Sequence, residues 1–247
     1  MGIEIFPFAC AIGSIFLGSF IKGTIGFGLP IIATPVMILF LPLHEVIALQ
    51  ILPICIANIQ QCWLTRSHKS VLGLFWPMII SNITILFFGS YFLLKLNTEI
   101  LMPIIGVLII LQAIANNAPI FNFQSVKNIK GIILLSGIAS GALGTMSSFY
   151  AFPSVQVMIG MKLKREEFVF IVGFFLATGS IGLWLGILAN GFSVTNNLPA
   201  SAFLIIPSVI GMTLGNKIRN RLRKGWFTGI IRAMLILMGI FLIFKAT

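Results

Sequence analysis

Lys22 is a cation inside an apolar stretch, and it stands directly before three closely spaced glycines in Lys22-Gly-Thr-Ile-Gly-Phe-Gly28. An ammonium, the Thr24 hydroxyl and backbone N–H groups left bare at Gly23, Gly26 and Gly28 are all hydrogen-bond donors. Donors that converge suit an anion. A second set lies further on, at Gly141, Gly144, Thr145, Ser147 and Ser148. The sets are in register: Gly23, Gly26 and Pro35 are each followed, 118 residues later, by Gly141, Gly144 and Pro153. Asn58 and Gln61 add neutral amides within another apolar run. They either line the same cavity or join helices to one another.

Clustered glycines weaken a helix, and Pro30 suits the first turn of a new one. Each donor set is therefore expected at a helix break. Free N–H groups and the positive end of the following helix face such a break. In hydrocarbon, unwound backbone survives only when buried in protein or lining a wet cavity. Paired Gly/Pro-interrupted segments in corresponding halves point to a transporter site. The rival reading is that small residues only let helices pack closely. For Lys22 the rival is snorkelling to the membrane surface.

The composition sets the solvent. The chain has 247 residues, 58% hydrophobic and 9% charged, and apolar runs of membrane-spanning length recur along it. Only Glu4 is charged near the start, so the first run reads as retained, not as a signal peptide. The net charge of +11 sits in short loops, which argues for membrane orientation over nucleic acid. Cys10, Cys55 and Cys62 lack paired spacing, and His44 and His68 lie apart, so neither a disulfide framework nor a metal site is expected. There is no Asp, and all five Glu fall near span ends, which disfavours a cation as cargo. No acid pair, His cluster or nucleophile beside a base suggests an enzyme.

The apolar runs predict a broken segment over 5–41, spans over 46–64, 71–94 and 100–115, a second broken segment over 131–160, and spans over 168–189, 200–216 and 226–244. Basic residues then decide how the broken segments run. If each returns to its own side as a hairpin, twelve Lys and Arg residues share one face and Lys95 and Lys245 take the other. If each crosses once, the sorting is far less one-sided. The positive-inside rule favours hairpins, with the basic face cytoplasmic and both termini outside. Each half, 1–115 and 131–247 around a connection at 116–130, then makes an odd number of crossings. The second half enters upside down. The expected fold is all-α and polytopic: two inverted repeats, each a broken helical hairpin plus three transmembrane helices, with the breaks meeting near the midplane.

Gly18-Ser-Phe-Ile-Lys-Gly-Thr-Ile-Gly-Phe-Gly28 followed by Pro35 resembles the first signature of the TauE/SafE sulfite and sulfonate exporter family, and Gly137-Ile-Ala-Ser-Gly-Ala-Leu-Gly144 resembles the second. Pro77 with Gly89, and Pro207 with Gly211 and Gly215, resemble the helix patterns after each signature. The likeness covers nearly the whole chain. It implies a multi-pass carrier of the bacterial inner membrane for sulfite, sulfonates or other sulfur-containing organic anions, without a cofactor. It also implies that Gly23, Gly26, Gly28, Gly141 and Gly144 form paired breaks. Where the family continues with further glycines and a proline, this chain has Met146-Ser-Ser148, so hydroxyls stand in for bare backbone.

The expected function is alternating-access transport of a small anion. A passive anion channel is the rival. The lipid bilayer is a partner on this reading. A coupling proton or other ion and a second copy of the chain are the further partners it admits.

Overall fold

The computed structural model describes residues 5–95, 98–115, 128–147, 150–191, 197–219 and 224–245. Ten α-helices account for most of them: α1 (Ile5–Ile25), α2 (Leu29–Met37), α3 (Leu43–Leu64), α4 (Leu72–Lys95), α5 (Thr98–Ala115), α6 (Ile129–Ser147), α7 (Ser154–Gly160), α8 (Arg165–Ala189), α9 (Leu198–Ile218) and α10 (Lys224–Lys245). A short 3-10 turn, Arg66–Val71, joins α3 to α4. Every expected span corresponds to one helix, with ends shifted by a few residues. By length and composition, Phe6–Ile25, Glu45–Leu64, Arg66–Phe92, Arg165–Ala189 and Leu198–Ile218 suffice to cross a membrane. This is a multi-pass helical membrane protein.

Side-chain meetings fix the helix directions. Ser19 bonds Ser208, and Gly23 packs on Gly215 and Asn216, so α1 and α9 run the same way. Gln60 bonds Thr213 and Ser208 bonds the Pro53 carbonyl, so α3 runs with them. Gln61 reaches Val169 while Cys55 reaches Ser180, so α8 runs opposite to α3. Gly137 meets Met78, Gly141 meets Ile85 and Thr145 meets Gly89, so α4 and α6 are parallel. Asn190 meets Ser90, and Gly179 meets Asn82, so α8 shares their direction. Glycines Gly106 and Gly239 face one another where α5 and α10 cross, antiparallel. Thus α1, α3, α5 and α9 end where Arg66 lies, and α4, α6, α8 and α10 start there. This basic end carries Arg66, Lys69, Lys130, Lys162, Lys164, Arg165, Lys217 and Arg219, and Lys95 lies at the other.

Since α1 and α3 point the same way, α2 must turn back between them. The same holds for α7 between α6 and α8. Both broken segments are hairpins, but lopsided ones. With 21 and 19 residues, α1 and α6 are about 31 and 28 Å long, enough to cross most of the core. The returning arms α2 and α7 have only 9 and 7 residues. The entering arm of the second hairpin is nearly as long as that of the first, because 129–147 is one unbroken helix.

Apolar side chains cover both the interior and the outside. Phe75, Phe175, Leu86 and Ile105 are buried in the main core, and Ile15, Leu29, Leu49 and Leu204 in a second cluster. Phe88, Phe92, Leu135 and Ile206 are exposed, as lipid-facing residues are. Trp63 and Trp76 are exposed near the basic end, with Arg66 4.2 Å over the Trp63 ring, in keeping with an interfacial belt. Trp184 departs from that pattern: its indole nitrogen is buried. The Trp226 side chain lies outside the described residues.

Candidate functional site

The first break forms because two glycines hold backbone angles that other residues rarely adopt. Gly26 has φ +98° and Gly28 φ +130°. The Gly26 N–H donates to the Lys22 carbonyl at 2.7 Å, closing α1, and the Gly28 carbonyl accepts from Ile32 at 3.2 Å, opening α2. Pro30 sits in the first turn of α2, as expected. No side chain caps that helix start.

The second break lies elsewhere than the sequence spacing indicates. Gly141 and Gly144 are inside α6, which stays helical through Ser147. The chain leaves the helix after that point and re-enters one at Ser154, past a cis Phe152–Pro153 bond. The physical reason is packing. A side chain at Gly141 would meet Ile85 on α4 at 2.7 Å, and one at Gly144 would meet Tyr150 at 2.6 Å and Leu86 at 2.7 Å. Gly23 is likewise helical, within 2.5 Å of the Met212 carbonyl on α9 by the same measure. Of the five glycines, only Gly26 and Gly28 are unwound.

The expected hydroxyl donors are engaged by their own helices. Thr24 donates to the Ile21 carbonyl at 2.7 Å and Thr145 to the Ala142 carbonyl at 2.7 Å. The Thr145 methyl also presses on Gly89. The Ser147 side chain and all of Ser148 lie outside the described residues. Asn58 is buried, and its Oδ1 has no hydrogen-bond partner among the described residues.

Lys22 is buried: 2% of its surface is exposed, and its Nζ has no hydrogen-bond partner among the described residues. It therefore does not snorkel. Arg219 is close enough to act on it electrostatically, as is Cys62. Arg219 is held in place by its Nε, which donates to the Gly23 carbonyl at 2.9 Å. Burial lowers the Arg219 guanidinium from its ordinary pKa; the Glu166 charge acts against that shift and the Arg165 charge with it.

A cavity of about 170 Å³ opens beside this group, lined by Gln61, Leu64, Thr65, Glu166, Val169, Met212, Asn216 and Arg219. Three helices supply it: the ends of α3 and α9 and the start of α8. Gly26 stands beside Gln61 and Val169. Gln61 donates to the Val169 carbonyl at 2.6 Å and lies flat on Gly173, while Thr65 donates to the Gln61 carbonyl at 2.8 Å. Asn216 Nδ2 and Gln61 Oε1 are buried without partners among the described residues.

A smaller cavity of about 40 Å³ lies farther along the α3–α8 seam, lined by Pro30, Thr34, Ile47, Gln50, Ile51, Ile54, Tyr150, Ser180 and Leu183. Here the two hairpins meet, Pro30 and Thr34 from the first and Tyr150 from the second. Thr34 donates to Gln50 at 3.1 Å, and Tyr150 donates to the Leu176 carbonyl at 3.0 Å. Gln50 and Gln61 are separated by three turns of α3, about 16 Å. Serines bind the second hairpin's arms: Ser140 donates to Ser154 at 2.8 Å, and Ser154 to the Ser136 carbonyl at 3.0 Å.

Sequence reasoning left Arg219, Asn216, Tyr150 and Glu166 out of the site. In the sequence Arg219 is only one of the twelve cations of the basic face, and its contact with Gly23 leaves no local signal.

A lopsided pair of helical hairpins, a buried lysine at a break, and a polar cavity with a smaller, mostly apolar one along the same seam describe a membrane transport protein. The chain matches the family "Sulfite exporter TauE/SafE" over residues 11–242, and it belongs to that family. No curated protein and no solved structure matches it.

Proposed function

We propose that the protein is a secondary carrier that moves a small anion across the bacterial inner membrane by alternating access. Sulfite, a sulfonate or another sulfur-containing organic anion is the cargo, in line with the family's description. The observation that carries this reading is Lys22: a buried amine without a hydrogen-bond partner among the described residues, beside a helix break and close to Arg219, which lines a polar cavity. An uncompensated buried cation is expensive, and an anion relieves it.

The two halves are inverted repeats on this reading. Support comes from the helix partnerships. The pairing of α1 with α9 matches that of α6 with α4, and α3 with α9 matches α8 with α4. The pairs α3–α8 and α5–α10 each join equivalent helices of the two halves. Equivalent helices also run in opposite directions. The basic end faces the cytoplasm by the positive-inside rule, and both termini face the periplasm.

Counterflow in proteoliposomes tests the function. Vesicles loaded with unlabelled sulfite and diluted into trace labelled sulfite should accumulate label transiently, and the initial rate should saturate. Non-saturating flux without accumulation is the behaviour of a channel and contradicts the carrier.

A further inference from the structure

We propose that Asn216 and Arg219 on α9 form, with Lys22 on α1, a clasp for the oxyanion head of the substrate, and that Glu166 is the internal anion with which the substrate competes. This rests on the carrier reading above.

Two donor groups, Asn216 and Arg219, line the cavity, and Lys22 lies close enough to Arg219 to feel its charge. Gly23, next to Lys22, packs against the backbone of Asn216, and its carbonyl accepts the Arg219 Nε–H. That bond fixes the guanidinium by its inner nitrogen, leaving the two terminal nitrogens available. Asn216 Nδ2 is buried with no partner among the described residues, and Lys22 Nζ likewise. Asn216 and Arg219 both line the 170 Å³ cavity. A water needs about 10–15 Å³ of such space, so the cavity admits a compact anion of several heavy atoms.

The chemistry of the donors selects the head group. An amide NH₂, a guanidinium fork and an ammonium offer three separate directions of donation. A head with three oxygens engages all three, whereas a carboxylate offers two oxygens in one plane. Glu166 lines the same cavity, and its charge acts on Arg219. A carboxylate there opposes an incoming anion and offsets the guanidinium charge between transport cycles.

Calorimetric titration of methanesulfonate and of acetate into the purified full-length protein tests this. The parent should bind methanesulfonate more tightly than acetate. Asn216→Ala and Arg219→Gln should each weaken methanesulfonate binding tenfold or more. Glu166→Gln should strengthen it several-fold, an effect that misfolding cannot imitate. Parent-like affinity in all three variants overturns the clasp, as does a parent that does not bind methanesulfonate. Sulfite counterflow separates the two levels of the argument. A parent that shows counterflow while the variants bind unchanged keeps the carrier and loses the clasp; a parent without counterflow loses both.

Discussion

Lys22 sets the energetics at the residue scale. It combines an ionisable amine with near-complete burial and no hydrogen-bond partner among the described residues. A buried charged group left unsatisfied costs about 1–3 kcal/mol or more, so Lys22→Met should stabilise the protein in the absence of substrate. The thermal midpoint should rise, by roughly 2–4 °C for each kcal/mol gained. The same variant should weaken anion binding about tenfold to hundredfold, the worth of a charge-assisted contact. Thermal unfolding and titration on one preparation measure both. A purely structural lysine gives the gain in stability but leaves anion binding unchanged. The glycines divide by a different criterion. Gly26 has room for a methyl group, its nearest neighbour Val169 Cγ2 being 3.5 Å away, but its φ of +98° is strained for alanine. Gly23 has ordinary helical backbone and no room, with the Met212 carbonyl at 2.5 Å. Gly26→Ala should therefore leave the yield of folded protein near that of the parent while slowing transport, and Gly23→Ala should lower the yield itself. Size-exclusion profiles and uptake rates distinguish these outcomes.

At the scale of elements, the seam between α3 and α8 is the structure that both cavities share. Cys55 Sγ lies 3.5 Å from Ser180 Oγ across it, close enough for a disulfide once the hydroxyl becomes a thiol. Ser180→Cys should lose transport on mild oxidation and regain it on reduction, if the seam must move. Transport unaffected by a disulfide demonstrated on the same sample contradicts that. The elements also reveal what the sequence can and cannot carry. Helix number, order and approximate ends were legible, because each follows from a long apolar run between polar turns. The first break was legible because Gly26, Gly28 and Pro30 act locally. The second was misplaced because Gly141 repeats the spacing of Gly23, and both do the same job: each lets its helix approach the other half, at α4 and α9 respectively. Close packing of a helix and unwinding of a helix both select glycine, and spacing alone does not separate them. Arg219 and Asn216 were not legible as site residues for a related reason. Their role depends on a contact between residues 23 and 219, which no local pattern encodes.

For the whole molecule, the distribution of charge and the directions of the helices agree. The end that gathers Arg66, Lys69, Lys130 and Arg165 is the end where the larger, polar cavity lies. The two cavities flank one seam at different depths. On the proposed carrier reading, substrate exposes one while closing the other. Single cysteines at Gln61 and at Thr34, in a background where Cys10, Cys55 and Cys62 are replaced, report on the two cavities separately. In proteoliposomes, labelling by a membrane-impermeant maleimide is measured at each position with and without sulfite. Sulfite should move the two labelling rates in opposite directions if the carrier alternates. Rates that rise or fall together, or that ignore sulfite, contradict it.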